Sequence, residues 1–185
     1  MIIIGIAGKK GSGKDTVAGI MKKILGKKVK LLSFADPLKM GCVEMFGLDK
    51  DIVYGTQTKK EEINEFWNTS VRKILQIVGT ELMKHTLPKY IPEMNDVWIR
   101  MMEKKIFGNK EDDIFIITDV RFMDEYEFVK KNNGLMVKIV RNINDRNDEH
   151  ISENVDIPCD YFINNNFSLE ELVIVTEEVL MDIFF

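Results

Sequence analysis

Three glycines within six residues, Gly8, Gly11 and Gly13, stand between an apolar run and a helix-periodic segment, and this junction constrains the chain more than any other feature. Residues 2–7 read Ile-Ile-Ile-Gly-Ile-Ala, a buried strand in composition. Val17, Ile20, Met21, Ile24 and Leu25 recur at helical spacing, which predicts a helix over 14–25 with one buried face. Between them Gly8 to Thr16 reads Gly-Lys-Lys-Gly-Ser-Gly-Lys-Asp-Thr. Glycines at a strand-to-helix junction let backbone N–H groups curl round phosphates, and the helix N-terminus adds its positive end. Lys14 then reaches the outer phosphate oxygens, with Gly11, Ser12, Gly13, Asp15 and Thr16 completing the loop. The plainer alternative is a glycine turn that only links strand to helix.

Beyond the loop, strands and helices alternate. Val29–Phe34 reads as a strand, and Asp36-Pro37 opens a helix with proline in its first turn. Residues 37–108 read as mainly helical, with breaks near Gly47, at 54–58, and at Pro88 and Pro92. Strands follow at 114–118, 135–140 and 160–164, with helices at 122–132 and 168–182. Such alternation predicts an α/β fold of about five parallel strands with helices on both faces. The expected organisation is a single domain over 1–185 with a helical insertion at 37–108. At 185 residues and 45% hydrophobic, the chain is long and apolar enough to bury a proper core. Cys42, Cys159, His85 and His150 are too few and too scattered for a disulfide framework or a zinc site. The cysteine usage fits a reducing cytoplasm. No apolar run approaches the ~20 residues of a membrane span, and the N-terminus reads as a strand without a basic leader.

The net charge of −4 conceals a gradient. Residues 1–40 carry nine lysines against Asp15 and Asp36, a net of +7, whereas residues 142–185 carry eleven carboxylates against Arg146, a net of −10. A basic end can mark a nucleic-acid binder, but no aromatic residues interleave these lysines and the pI is about 5.4. A local phosphate site accounts for them better than a polynucleotide track.

Several further residues belong to candidate sites. Asp15 takes the place after the lysine where a hydroxyl is usual, and Thr16 supplies the hydroxyl one residue later, a form similar to nucleoside monophosphate kinases. Along 70–85, Arg72, Gln76, Gly79 and Thr80 fall on one helical face, opposite Val71, Ile74, Leu75, Val78 and Leu82. Arg72 suits a phosphate and Gln76 a base edge, and Gly79 leaves room for a planar group. A solvated polar face with a tolerated glycine is the other reading. Asp119 and Arg121 lie just past a buried strand, where open parallel sheets collect functional groups. Asp119 suits a water on Mg²⁺ and Arg121 a phosphoryl oxygen, unless the two merely pair to cap the next helix. Asn142–Cys159 reads either as a short lid carrying Arg146 towards the nucleotide or as a solvated connection. Asn109-Lys110-Glu111-Asp112 matches a guanine-recognition motif, but it precedes a strand and reads as a polar turn.

With these residues in view, the sequence resembles the phage and viral deoxynucleoside monophosphate kinases of the P-loop kinase superfamily, the T-even phage enzyme among them. The resemblance runs almost end to end. It rests on Ser12-Gly13-Lys14-Asp15-Thr16, Pro37-Leu38-Lys39, Ser70–Thr80, Trp98, Asp119-Val120-Arg121 with Glu125, His150-Ile151-Ser152-Glu153, Ile163-Asn164 and Ser168–Leu172. The Arg-x-x-x-Gln-x-x-Gly-Thr element is its most specific part. It implies a P-loop kinase core with a helical acceptor-binding region and a lid. The implied reaction moves the γ-phosphoryl group of ATP, with Mg²⁺, onto a deoxynucleoside monophosphate of the dTMP, dGMP or dCMP type. Carried onto this chain, it puts ATP phosphates on Gly11 to Thr16, and the acceptor among Lys10, Leu38, Lys39, Arg72, Gln76, Gly79, Thr80 and Trp98. Arg121 falls near the transferred group, with Lys10 and Lys14. It also suggests a homodimer. The chain departs from the T-even enzyme at Gly11, where that enzyme has arginine, and in a much shorter Gly47–Trp67 segment. Kinases of phosphomevalonate or dephospho-coenzyme A, and a silent nucleotide-binding module, are the rival readings.

Overall fold

Five short apolar segments pair side by side in one direction, because βαβ crossovers return each strand parallel to the last. A computed structural model describes residues 1–26, 28–109, 111, 113–142 and 156–184. The chain divides into two compact units, Met1–Ser33 with Lys104–Phe185, and Phe34–Glu103.

The first unit holds strands β1 (Ile2–Ala7), β2 (Val29–Leu32), β5 (Ile114–Ile117), β6 (Leu135–Val140) and β7 (Tyr161–Asn164), in the order β2-β5-β1-β6-β7. Every pairing is parallel. β1 is central and buried from Ile3 to Ala7, as expected of a strand covered on both faces. On one face Ile4, Ile6, Ile116, Val137, Ile139 and Ile163 pack against α1 (Lys14–Leu25) and α9 (Leu169–Phe184), which contribute Val17, Met21, Leu172 and Leu180. Alternation turns Ile3, Phe115, Ile117 and Met136 to the other face, the side of α8 (Met123–Lys131) with its buried Phe128 and Val129. The sheet is therefore the expected five-stranded parallel one with helices on both sides. β2 stops two residues before its predicted end, where Ser33 turns its hydroxyl to Asp119 at 2.7 Å.

The second unit is helical apart from one hairpin. α2 (Asp36–Phe46) has Pro37 in its first turn and ends at Gly47 in the left-handed conformation. α3 (Lys50–Val53) is capped by the Asp49 side chain and α4 (Gln57–Glu61) by Thr56. A short antiparallel ladder joins β3 (Ile63–Asn64) to β4 (Thr69–Ser70), an element with too few residues to leave a periodic signal. α5 (Val71–Gln76) starts with Ser70 accepting from the Lys73 N–H. It runs into a wide π-type helix at Ile77–Thr86, then α6 (Leu87–Tyr90), a single tight turn (Pro92–Met94) and α7 (Val97–Phe107), whose last residues belong to the first unit. Cys42, Leu48, Val53, Val71 and Val78 form the core of this second unit, with Leu38, Ile74 and Leu75 packed on it.

The π-type turns correct the expected regular helix over 70–85. The Trp98 indole donates to the Gly79 carbonyl at 3.1 Å and the Thr86 hydroxyl to the Glu81 carbonyl at 2.7 Å. Side chains that engage ladder carbonyls in this way open a helix locally. The drift in register leaves Leu82, expected on the apolar face, 47% exposed.

Candidate active site

The loop that follows β1 is shaped by its glycines. Gly8, Gly11 and Gly13 have φ of 147°, 76° and 95°, values that L-residues with a side chain rarely adopt. At Gly8 and Gly13 there is also no space for one. A Cβ on Gly8 would lie 2.6 Å from the Ile139 carbonyl oxygen, and one on Gly13 would collide with the Asn165 amide. The Ser12 N–H donates to the Lys9 carbonyl at 3.1 Å, closing the turn. Lys14 Nζ lies within the loop, donating to the carbonyls of Gly8 at 2.6 Å and Lys9 at 2.8 Å. The N-cap of α1 is Gly13, with no side chain to satisfy the first-turn N–H groups. Ser12 is 1% exposed, and its hydroxyl oxygen has no hydrogen-bond partner among the described residues. A buried orphan oxygen, a lysine within the turn and an uncapped helix start are what a polyphosphate can satisfy together. The loop fits ATP.

Asp15 and Thr16 are exposed in the first turn of α1, where a carboxylate is favoured by the helix dipole. Lys10 is half-buried on the loop.

Asp119 is 9% exposed and accepts from the Ser33 hydroxyl. The register that sets Gly5 opposite Ile117 carries Asp119 alongside the start of the loop, and the Val120 N–H donates to the Ile6 carbonyl there at 3.1 Å. Asp119 and Arg121 thus lie just past the carboxyl end of β5, where the sequence places them, and Asp119 is also beside the end of β1. The start of α8 is capped by Glu125, buried at 4% exposure, whose carboxylate accepts from the N–H groups of Arg121 at 2.7 Å and Phe122 at 3.1 Å. Arg146, His150 and Glu153, with most of the expected lid, lie outside the described residues.

In the second unit, Arg72 is largely buried, and its Nε lies 3.8 Å from a Glu61 carboxylate oxygen. Gln76 is half-buried, while Gly79 and Thr80 are buried. The expectation that Gly79 leaves open space is corrected: a Cβ there would stand 2.5 Å from Leu38 Cδ2, so the glycine admits the Leu38 side chain against the wide helix. Leu38, Gly79 and Trp98 are thereby brought together. Lys39 Nζ sits 5.2 Å from the centre of the Tyr54 ring. Burial, followed by the Asp36 charge, pushes the Tyr54 phenol above its ordinary range. Burial also raises both thiols, Cys42 above its usual value and Cys159 to about 11, so neither suits a nucleophile.

Sequence reasoning missed Ser33 and Asn165. Asn165 Nδ2 donates to the Ser12 carbonyl at 2.8 Å across 153 residues of chain. Its one signal was its position just past a strand end.

A parallel α/β sheet with a glycine loop and lysine after its central strand defines the phosphate-loop class of nucleotide-binding proteins. The fold is also that of the Thermus thermophilus protein TT1252, whose crystal structure matches with a TM-score of 0.54 at 17% identity over 100% of this chain and 98% of that one. A family model described as deoxynucleotide monophosphate kinase matches residues 44–175, and the chain belongs to that family. A putative deoxynucleotide monophosphate kinase of Acanthamoeba polyphaga mimivirus is 36% identical over 180 residues, covering 92% of each chain. The deoxynucleotide monophosphate kinase of Escherichia phage RB69 is 26% identical over 123 residues, 64% of this chain and 47% of that protein.

Proposed function

We propose that the protein transfers the γ-phosphoryl group of ATP to a deoxynucleoside 5′-monophosphate, giving the diphosphate and ADP. The observation that carries this reading is the glycine loop with Lys14 donating to the Gly8 and Lys9 carbonyls, in a chain of this family. Transfer to an acceptor that is already a phosphate needs no strong general base, so catalysis is positioning and charge neutralisation. In this reading Gly11 and Gly13 offer N–H groups to the ATP phosphates, and Ser12 offers its unpartnered hydroxyl. Lys14, Lys10 and Arg121 neutralise charge on the oxygens of the group in transfer. Thr16, through its hydroxyl, and Asp119, through a water, are the residues that would hold Mg²⁺, which supplies further neutralisation across the outer phosphates.

The acceptor is assigned to Leu38, Lys39, Arg72, Gln76, Gly79, Thr80 and Trp98. Arg72 holds its phosphate and exchanges Glu61 for it. The whole of 1–185 acts as one kinase domain with 37–108 as its acceptor-binding region. No described helix is long and apolar enough to cross a membrane, and the two free cysteines suit a reducing cytoplasm. A homodimer fits the same reading.

The test is ADP release from ATP and Mg²⁺ with dTMP, dGMP, dCMP, dAMP, their ribose counterparts and phosphomevalonate. Turnover with at least one deoxynucleotide is expected, preferably of the dTMP, dGMP or dCMP type. Turnover with phosphomevalonate alone, or with none of them, would overturn the reading.

A further inference from the structure

Asn165 holds the loop from outside. Asn165 directly follows β7, and its N–H donates to the Val140 carbonyl at 2.8 Å, continuing the pairing of β7 with β6. The sheet therefore fixes where its side chain starts. Asn165 is 9% exposed, and its amide nitrogen donates to the Ser12 carbonyl. The partner is an acceptor only, which determines which end of the amide faces it.

The Ser12–Gly13 peptide is trans, since the chain has no cis bonds among its described residues. In a planar trans peptide the carbonyl and the following N–H point in opposite directions. Holding the Ser12 oxygen against Asn165 therefore turns the Gly13 N–H to the opposite side, away from Asn165. Without that hold, the Ser12 oxygen is free to swing inward, where its partial negative charge would oppose a phosphate. Gly13 is part of the same device: only a residue without Cβ lets the amide come this close.

We infer that Asn165 is a positioning residue for ATP, holding the Ser12–Gly13 peptide so that the Gly13 N–H faces the bound polyphosphate. This rests on the assignment of the loop to ATP.

The experiment compares the parent, Lys14→Ala, Asn165→Asp and Asn165→Ser. Asn165→Asp keeps the shape and replaces the donor with an acceptor; Asn165→Ser removes the amide with little charge effect, and serves if the first variant does not fold. Affinities for ATP and adenosine, KM for ATP and for the best monophosphate of the panel, and the melting temperature are measured. Both variants should bind ATP about tenfold more weakly, with a matching rise in the ATP KM. Adenosine affinity and acceptor KM should stay within about twofold. Unchanged ATP affinity in a folded variant would overturn the inference alone. A loss spread equally over ATP, adenosine and acceptor would reduce Asn165 to a general structural role and overturn it too. A parent that does not bind ATP, or binds it no better than Lys14→Ala, would overturn the assignment of the loop itself.

Discussion

Lys14 and Arg72 both meet oxygen groups of the protein, and these differ in what they cost to replace. Lys14 donates to two loop carbonyls, neutral groups that an anion outcompetes readily. Removing its charge takes away a donor matched to charge that develops during transfer. Lys14→Ala should therefore lower kcat by about a hundredfold or more while the protein still folds. Arg72 is opposed by Glu61 at 3.8 Å, a long pair whose carboxylate is half exposed. Such a pair contributes little and yields to a phosphate bound through two N–H groups. Arg72→Ala should raise the monophosphate KM by about tenfold and leave the ATP KM within about twofold. Steady-state kinetics with each substrate varied in turn checks both variants. Near-normal turnover of Lys14→Ala would end the loop's role in catalysis, and equal rises in both KM values would remove Arg72 from the acceptor site.

Between elements, Asp160 ties three of them together. Its N–H donates to the Met136 carbonyl at 2.9 Å, its carboxylate accepts from the Met136 N–H at 2.8 Å, and both carboxylate oxygens accept from Lys130 at 3.0 Å. Partial burial pushes its pKa up, but the Met136 N–H and the Lys130 ammonium outweigh this and hold it below the ordinary carboxylate value. A carboxyl with a depressed folded pKa stabilises the protein above its unfolded pKa, and that contribution is lost as pH falls through the folded value. Asp160→Asn should thus lower the melting temperature by a few degrees at pH 7, and the gap from the parent should shrink below about pH 4. Thermal melts from pH 3 to 7 check this, and a gap that does not narrow in acid would exclude the ionised carboxylate as its source.

The elements that were legible share one property: their signal is local. Val17, Met21 and Leu25 mark the buried face of α1 by spacing alone, and the glycines mark the loop because their φ values have few other solutions. The position of Asp119 and Arg121 past a strand end was legible because the apolar run of β5 stops just before them. The π-type turns were not, since they depend on Trp98 and Leu38 meeting Gly79, contacts set by tertiary packing. Asn165 was hidden for the same reason, its partner being 153 residues away.

For the molecule as a whole, the proposed ATP site in the glycine loop predicts a stability that depends on nucleotide. Any ligand that binds only the folded chain adds RT ln(1 + [L]/Kd), about 2.7 kcal/mol at a hundred times Kd. In a chain of 185 residues, each kcal/mol is worth roughly 2–4 °C of melting temperature. ATP with Mg²⁺ should therefore raise the transition that includes the first unit by about 5–10 °C, whether calorimetry resolves the two compact units as one transition or two. Lys14→Ala should lose most of that rise at the same ATP concentration, although its own melting temperature without nucleotide stays close to the parent's. The best monophosphate, added alone, should shift the transition of the Phe34–Glu103 unit, and Arg72→Ala should abolish that shift while retaining the ATP response. A parent with no response to ATP, or a Lys14→Ala variant that responds as the parent does, would separate this chain's stability from the loop and refute the dependence.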